Sequence, residues 1–240
     1  MNKMKVIIET LGNQIVSDYC FKGWLGASNE DHDVELLSLP AASMKQDKLR
    51  QEKPMPIGSV GYMEYFFDLY GVQKPFPLID FNLERSWTVT RRDQLKYPVF
   101  VKPLVQIKKF TGAVFTNAKQ WDLYPELEDW DGPYLCKEPF ELPILSEWRV
   151  FVHNSKIKNI SYYSGTNPRA FPDRWTIGFL LEHAYNHPAA FTMDVCVLED
   201  GSTRLVEFND MWAIGPYGCN ESDYFSMLKD RWNEIINGEK

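Results

Sequence analysis

The chain has 240 residues and a formal net charge of −7, with 44% hydrophobic and 15% aromatic residues. This composition supports a globular protein with a substantial core, and the negative charge argues against a protein that coats nucleic acid or an anionic membrane through bulk charge. The first apolar run is too short for a signal peptide, and no later run approaches the roughly 18 apolar residues of a membrane helix. We therefore expect a cytoplasmic protein that does not bind membranes.

The cysteines are widely spaced along the chain, and no C-x-x-C pair is present to hold zinc or carry redox chemistry. A free cysteine packs as a small hydrophobic residue. We therefore expect buried free thiols at Cys20, Cys136, Cys196 and Cys219.

The first 90 residues are predicted to form a small α/β domain. Its strands lie near Lys5–Glu9 and Val34–Leu39, and a Pro/Gly-rich connection, EKPMPIGSVG, follows them. The segment SVGYMEYFFDLYG has apolar residues at a helical period and ends on Gly71, which is placed as a C-cap. Prolines in KPFPLIDF exclude a helix interior there, so we place a domain boundary near residues 72–95.

Strands and hairpins dominate the second part, which we predict as a domain over residues 91–240. Two β-rich runs, YPVFVKPLV and GAVFTN, are joined by QIKKFT, and YLCKEPF is a further short strand. The run SEWRVFVHNSKIKNISYYSG alternates around an HNSK turn, as an antiparallel hairpin does. A helix is predicted over Arg174–Asn186, then a hairpin that turns at Asp200–Gly201, and last an amphipathic helix, DYFSMLKDRWNEII.

The last hairpin is predicted to collect oxygen-bearing side chains. Glu207 and Asn209 are two residues apart, so they project from the same side of their strand. A turn centred on residues 200 and 201 places Asp194 opposite Glu207. Two carboxylates and an amide are hard ligands that suit Mg²⁺, although the same residues would also suit the solvated face of an exposed hairpin.

Several cations could serve as phosphate ligands. Lys102 stands inside the apolar strand PVFVKP, where it is either an edge residue that reaches water or a placed phosphate ligand. Arg149 shares a face with Glu147 in EWRVFV, so Glu147 could orient Arg149 toward a phosphate, or the two could form an ordinary surface pair. The loop QIKKFTG offers Lys109 and backbone N–H groups.

The order of these parts resembles the ATP-grasp superfamily. That family has a lysine at a strand end, a flexible loop, a second lysine before an adenine-binding linker, a later arginine, and then Asp and Glu-x-Asn on successive strands. The sequence supplies Lys102 in VFVKP, the loop KKFTG, Lys137 and Glu138 in LCKEPF, Arg149 in EWRVFV, Asp194 in TMDVCV, and Glu207 and Asn209 in LVEFND.

The resemblance covers residues 96–220 and implies a fold. The expected architecture is α+β, an ATP-grasp fold in which two α+β subdomains clamp ATP, preceded by the small N-terminal domain. The lid subdomain would span about 96–138 and the C-terminal subdomain about 139–240. Within the superfamily, EWRVFV and EFNDMWAIG look most like the divergent clade of the eukaryotic translation-initiation-factor assembly chaperone and its bacterial and phage relatives.

The resemblance also implies a role for each matched residue, with ATP and Mg²⁺ as cofactors. Lys102 would be catalytic and, with Lys137 and Lys109, would contact the nucleotide; Arg149, supported by Glu147, would steady the γ-phosphate. The adenine hinge would be formed by Glu138, Pro139 and Phe140, and magnesium would be held by Asp194, Glu207 and Asn209.

The implied reaction is ATP-dependent ligation of a carboxylate to an amine or similar nucleophile, on a small molecule, peptide or protein. We expect the acceptor near Arg169, Arg174 and Trp212. An alternative of another class is an ATP-binding assembly factor, in which nucleotide steadies a surface that grips a protein partner. The absence of a Walker or kinase glycine motif in the sequence removes the two commonest rival ATP sites.

Overall fold

The computed structural model describes residues 3–75, 87–104, 112–125, 132–184 and 187–238. The chain divides into two compact units: Met1–Leu78 with Ile144–Lys240 form the first, and Ile79–Pro143 the second. The domain bounds predicted above, at residues 90 and 138, stay predictions.

A parallel sheet organises the N-terminal part of the first unit. Its central strand β1 runs parallel to β3 and β4 and antiparallel to the short β2, which follows a turn at Gly12. Because parallel pairs need a crossover, helices separate these strands along the chain. The elements are β1 (Lys5–Leu11), β2 (Gln14–Ile15), α1 (Asp18–Asn29), β3 (Asp33–Leu37), α2 (Leu39–Met44), α3 (Gln46–Glu52), β4 (Met55–Ile57) and α4 (Val60–Tyr70).

The sequence predicted part of this arrangement. Strand β1, β3 and helix α4 are confirmed, and Gly71 ends α4 in the left-handed conformation with φ 63°. The connection EKPMPIGSVG was predicted without a strand, and this was wrong because β4 lies within it. Strand β4 pairs only with β1 among the described strands, so Pro56 is tolerated there as in other edge strands.

The second unit contains an antiparallel sheet of four strands in the order β5-β8-β6-β7. Its core packs aromatic rings against β6: Phe115 stacks on Trp121 with ring centroids 4.2 Å apart, and Tyr134 lies against Trp121. The strands are β5 (Thr88–Thr90), β6 (Val99–Pro103), β7 (Ala113–Phe115) and β8 (Tyr134–Lys137), with 3₁₀ turns at Arg92–Gln94 and Ala118–Leu123.

A second antiparallel sheet forms the rest of the first unit, in the order β10-β9-β11-β12. The predicted HNSK turn is confirmed, because Asn154 and Ser155 both have positive φ, as a two-residue type I′ hairpin requires. Strand β11 is buried along its whole length. The elements are β9 (Ile144–His153), β10 (Lys156–Gly165), α5 (Arg174–Glu182), β11 (Ala190–Leu198), β12 (Thr203–Asp210) and α6 (Glu221–Asn237).

The register of the last hairpin shows a prediction that was right at one place for an incomplete reason. Asp194 pairs with Glu207 as expected, but Val197 pairs with Thr203, so the turn is centred one half-step earlier than predicted. A register shift between Asp194 and Val195 adds one residue on β12 and restores the expected pairing beyond it.

Two further predictions meet the structure here. All four cysteines are free and buried, as predicted, and burial raises the pKa of the Cys20 and Cys136 thiols to about 12. Helix α5 ends at Glu182, before the predicted end at residue 186, which lies outside the described residues. Within the described ranges, every helix is too short or too polar to cross a lipid bilayer.

Close packing of α1 on α6 gives a test of the fold. A Cβ on Gly26 would collide with the Glu221 carbonyl oxygen and Phe225 Cβ, so we expect Gly26→Ala to lower the free energy of unfolding by about 1–3 kcal/mol. Gly178→Ala is the control: it lies inside α5 with open space around it and should raise stability by about 0.5–1 kcal/mol. Urea unfolding of both variants measures the difference, and equal effects would contradict the packing.

Candidate functional site

A buried ion pair lies at the centre of the second sheet of the first unit. Arg149 on β9 is directly opposite Asp194 on β11, and its Nε and Nη2 donate to the two Asp194 oxygens, both at 2.7 Å. The side chains are 8% and 2% exposed. Two parallel charge-assisted hydrogen bonds fix the guanidinium in one orientation. The sequence assigned that task to Glu147, which instead accepts a hydrogen bond from the Tyr163 hydroxyl at 2.8 Å.

Further acidic and amide groups surround this pair on the same face. Glu207 is the β12 partner of Asp194, and Asn209 Nδ2 donates to Asp194 Oδ2 at 3.1 Å. Burial raises the pKa of Asp194, the nearby charges of Glu207 and Glu147 raise it further, and Arg149 opposes the shift. The described part of the cluster therefore carries more negative than positive charge.

Two tyrosine rings cover the faces of the Arg149 guanidinium. Its carbon lies 5.4 Å from the Tyr163 ring centre and 4.9 Å from that of Tyr217, which is a cation–π arrangement. Tyr217 is 45% exposed and has φ 40°, a backbone conformation that is uncommon for a bulky residue. The neighbouring Gly218 N–H donates to Ser161 Oγ at 3.1 Å and ties this loop to the sheet.

The donor set of this cluster fits a divalent cation of the magnesium type. Within the described ranges no three histidine, cysteine or carboxylate side chains converge on a metal position, so a site here also needs the Asn209 amide oxygen. Asp194 accepts three hydrogen bonds, and a carboxylate has about four lone-pair positions. Exchanging the Asn209 amide N and O would free one Asp194 position and present a second oxygen ligand.

In the second unit, two predicted lysines meet on one tryptophan. Lys102 on β6 and Lys137 on β8 project from the same face, because Phe100, two residues from Lys102, pairs with Lys137. Their ammonium nitrogens lie 4.5 and 4.1 Å from the centre of the buried Trp87 ring. Two cations on one face create a positive potential that suits a phosphate group.

The remaining nucleotide-binding predictions are placed as follows. Glu138, Pro139 and Phe140 follow β8 in an irregular segment, with Glu138 exposed and the other two half-buried. Lys109 lies outside the described residues. The roles of all four stay predictions.

The structure does not gather the three predicted acceptor residues around the acidic cluster. Trp212 is 8% exposed and packs edge-on against Phe67 with ring centroids 5.2 Å apart, which gives it a core position. Arg169 is an exposed loop residue. Arg174, in the first turn of α5, lines a groove with Ile160, whose side chain projects from the face opposite Arg149.

Sequence reasoning missed the aromatic residues that hold these cations. Trp87 immediately precedes β5, and its position beside two strand lysines depends on strand pairing across 48 residues. Tyr163 lies two positions beyond Ser161, the β10 partner of Arg149, a signal that the predicted hairpin already contained. Tyr217 stands in a loop, where no periodicity fixes the direction of a side chain.

Comparison with known proteins follows this geometry. A family model described as an ATP-grasp domain, family 2 of its clade, matches residues 83–227. The structure is similar to D-alanine–D-alanine ligase from Bacillus anthracis, at 11% identity over 99% of both chains with a TM-score of 0.51. It is also similar to N5-carboxyaminoimidazole synthase from Aspergillus clavatus, at 12% identity over 97% of this chain and 77% of that chain with a TM-score of 0.53. These findings confirm the predicted α+β fold of the ATP-grasp type, and no curated protein matches the sequence.

The buried ion pair gives a stability test. Arg149→Met leaves the Asp194 carboxylate buried without its cation, so we expect the free energy of unfolding to fall by about 3–5 kcal/mol. The double variant Arg149→Met/Asp194→Leu should recover much of this loss, because no charge remains to be solvated. Lys156→Met, at an exposed strand end, is the control and should change stability by less than about 0.5 kcal/mol. A small effect of Arg149→Met would contradict the assigned pairing.

Proposed function

The chain belongs to the ATP-grasp domain family, in family 2 of the matching clade, and from that premise we propose that it is a Mg·ATP-dependent ligase. It would activate a carboxylate as an acyl phosphate for attack by an amine or similar nucleophile. The observation that carries the proposal is the convergence of Asp194, Glu207 and Asn209 with Arg149 on one sheet face. A cytoplasmic location, as the sequence predicts, would supply this enzyme with ATP.

In the proposed reaction, a carboxylate oxygen of the substrate attacks the γ-phosphorus of ATP. The bond between that phosphorus and the β–γ bridging oxygen breaks, which releases ADP and leaves an acyl phosphate. An amine nitrogen then attacks the acyl carbon, loses a proton, and phosphate leaves. The protein supplies no nucleophile in this scheme, so its contribution is to orient groups and to neutralise charge.

Each cluster has its own part in that scheme. Lys102 and Lys137 would bind phosphate oxygens, and Arg149, held by Asp194 and the tyrosine rings, would present its remaining N–H groups to the γ-phosphate. Magnesium held by Asp194, Glu207 and Asn209 would offset the negative charge of the triphosphate. Glu138, Pro139, Phe140 and Lys109 keep their predicted roles in binding the nucleotide.

A nucleotide-dependent shift in stability tests the acidic cluster. Saturating Mg·ATP at about 100 times its Kd should stabilise the wild type by about 2.7 kcal/mol. Glu207→Gln should abolish most of this gain, because it removes one charged ligand, while its unfolding without nucleotide stays cooperative. The matched control is Glu199→Gln in the exposed turn of the same hairpin, which should keep the full shift. A full shift in Glu207→Gln would count against the metal assignment.

Trapping the acyl phosphate tests the reaction itself. With Mg·ATP, hydroxylamine and a panel of free amino acids and dipeptides, we expect carboxylate-dependent ADP release and a hydroxamate product. Lys102→Met and Lys137→Met should reduce the rate by about 10²–10³, the usual cost of removing a group that stabilises developing charge. Lys119→Met, elsewhere in the same unit, should leave the rate unchanged. Hydroxamate formation at the wild-type rate by both variants would refute their assignment.

A second function, that of an ATP-binding assembly factor related to the translation-initiation-factor assembly chaperone, is favoured by one observation. Trp175 and Phe179 lie one turn apart on α5 and are 88% and 54% exposed. Exposed aromatic surface of this kind marks interaction sites with other proteins. Tight ATP binding without ADP release under all conditions of the trapping assay would support this function and exclude the ligase.

A further inference from the structure

A groove lies beside the edge strand β10, away from the acidic cluster. It has a volume of about 460 Å³, within the range of binding pockets, and is lined by Ile157, Lys158, Ile160, Phe171, Arg174 and Ile177. Phe171 and Ile157 are 46% and 39% exposed, so apolar surface remains open to solvent along the groove.

The groove opens on the sheet face opposite Arg149. Ser161 pairs with Arg149 and Ile160 with Val150, so the Ile160 side chain projects from the opposite face. Phe171 packs on that face too, against Trp148 with ring centroids 4.7 Å apart. A ligand in the groove would therefore leave the acidic cluster uncovered.

Strand β10 offers backbone hydrogen bonds next to the groove. It is the edge of its sheet and pairs only with β9 among the described strands. Its first three residues are exposed, and the register shift between Ile157 and Asn159 leaves Lys158 outside the ladder. An open strand edge is a template on which an extended peptide can pair.

The charge around the groove has the opposite sign from that of the whole chain. Residues 156–174 contain four basic residues and one acidic residue, a net charge of +3 in a chain of net charge −7. Lys158 has a distant partner in Asp223 at 3.4 Å, whereas no described carboxylate lies within ion-pair distance of the Arg174 guanidinium. The groove therefore complements an anionic ligand with an apolar body.

From these observations we infer that β10 and the groove form a docking site for an acidic, extended peptide segment of a partner protein. The segment adds as a fifth strand along β10, places alternate apolar side chains over Ile160 and Phe171, and pairs acidic side chains with Arg174 and Lys158. Arg174 thus binds a carboxylate, as the sequence suggested, but one that belongs to a docked peptide. This site is additional to the proposed ligase chemistry.

Fluorescence anisotropy with a designed probe tests the inference. The probe is a labelled peptide of about nine residues with alternating Val and Glu, long enough to pair along one strand and titrated with the full chain. We expect saturable binding, weakened about tenfold or more when Lys replaces Glu in the probe or when alternate backbone nitrogens carry methyl groups. Methylation removes strand donors without changing side chains, so it separates backbone pairing from simple charge attraction.

Protein variants then locate the site. Arg174→Glu should weaken the Val/Glu probe by about tenfold or more and improve binding of the Val/Lys probe. Phe171→Ala and Lys158→Glu should weaken the Val/Glu probe while leaving the Mg·ATP stability shift intact, which shows that each variant folds. The control Lys48→Glu, an exposed cation on α3, should bind like wild type.

Three outcomes would overturn the inference. They are no binding of the Val/Glu probe at about 1 mM, the weak end of the affinity scale, equal binding by Arg174→Glu and wild type, and equal binding of the methylated probe. A labelled oligouridine of the same length that binds more tightly than the peptide, and loses this in Arg174→Glu, would also refute it, because it would make the basic groove a nucleic-acid site. Loss of the Mg·ATP shift in wild type would instead refute the proposed function and leave docking standing.

Discussion

A guanidinium buried in a sheet must be neutralised, and here that requirement organises one whole face. Asp194 takes both inner N–H groups of Arg149, the two tyrosine rings cover its planar faces, and Glu147 is left to bind Tyr163. The arginine consequently has few donors left and one direction in which to offer them. A side chain this constrained loses little conformational entropy when it meets an anion, which is how a binding site gains affinity through preorganisation.

The same constraint separates two kinds of acidic residue within the cluster. Asp194 is needed by the fold because its charge is buried against Arg149, so its replacement changes stability as well as chemistry. Glu207 is only half-buried and lies on an edge strand, where a change of charge costs less stability. Loss of function in an Asp194 variant is therefore ambiguous, whereas loss in a Glu207 variant points to the ligand it binds.

The sequence predicted those features that depend on alternation and on chain order. Glu207 and Asn209 share a face because they are two apart, and the hairpin turn at Asn154 and Ser155 follows from residue types that accept positive φ. It could not predict features that depend on packing at a distance. The partner of Arg149 was taken from its own strand, when the true partner lies 45 residues away, and the bulge beside Asp194 has no local signature.

Tyr217 combines a left-handed backbone with a ring that lies half in water, and neither property helps the folded state by itself. A protein engineer who screens for heat resistance would replace it with glycine, which adopts that backbone geometry at no steric cost. Such a hardened variant would lose the outer wall of the arginine cage without any warning from its melting curve. Thermostability is therefore an unsafe guide to fitness at this position, where the value of the residue lies in what it touches.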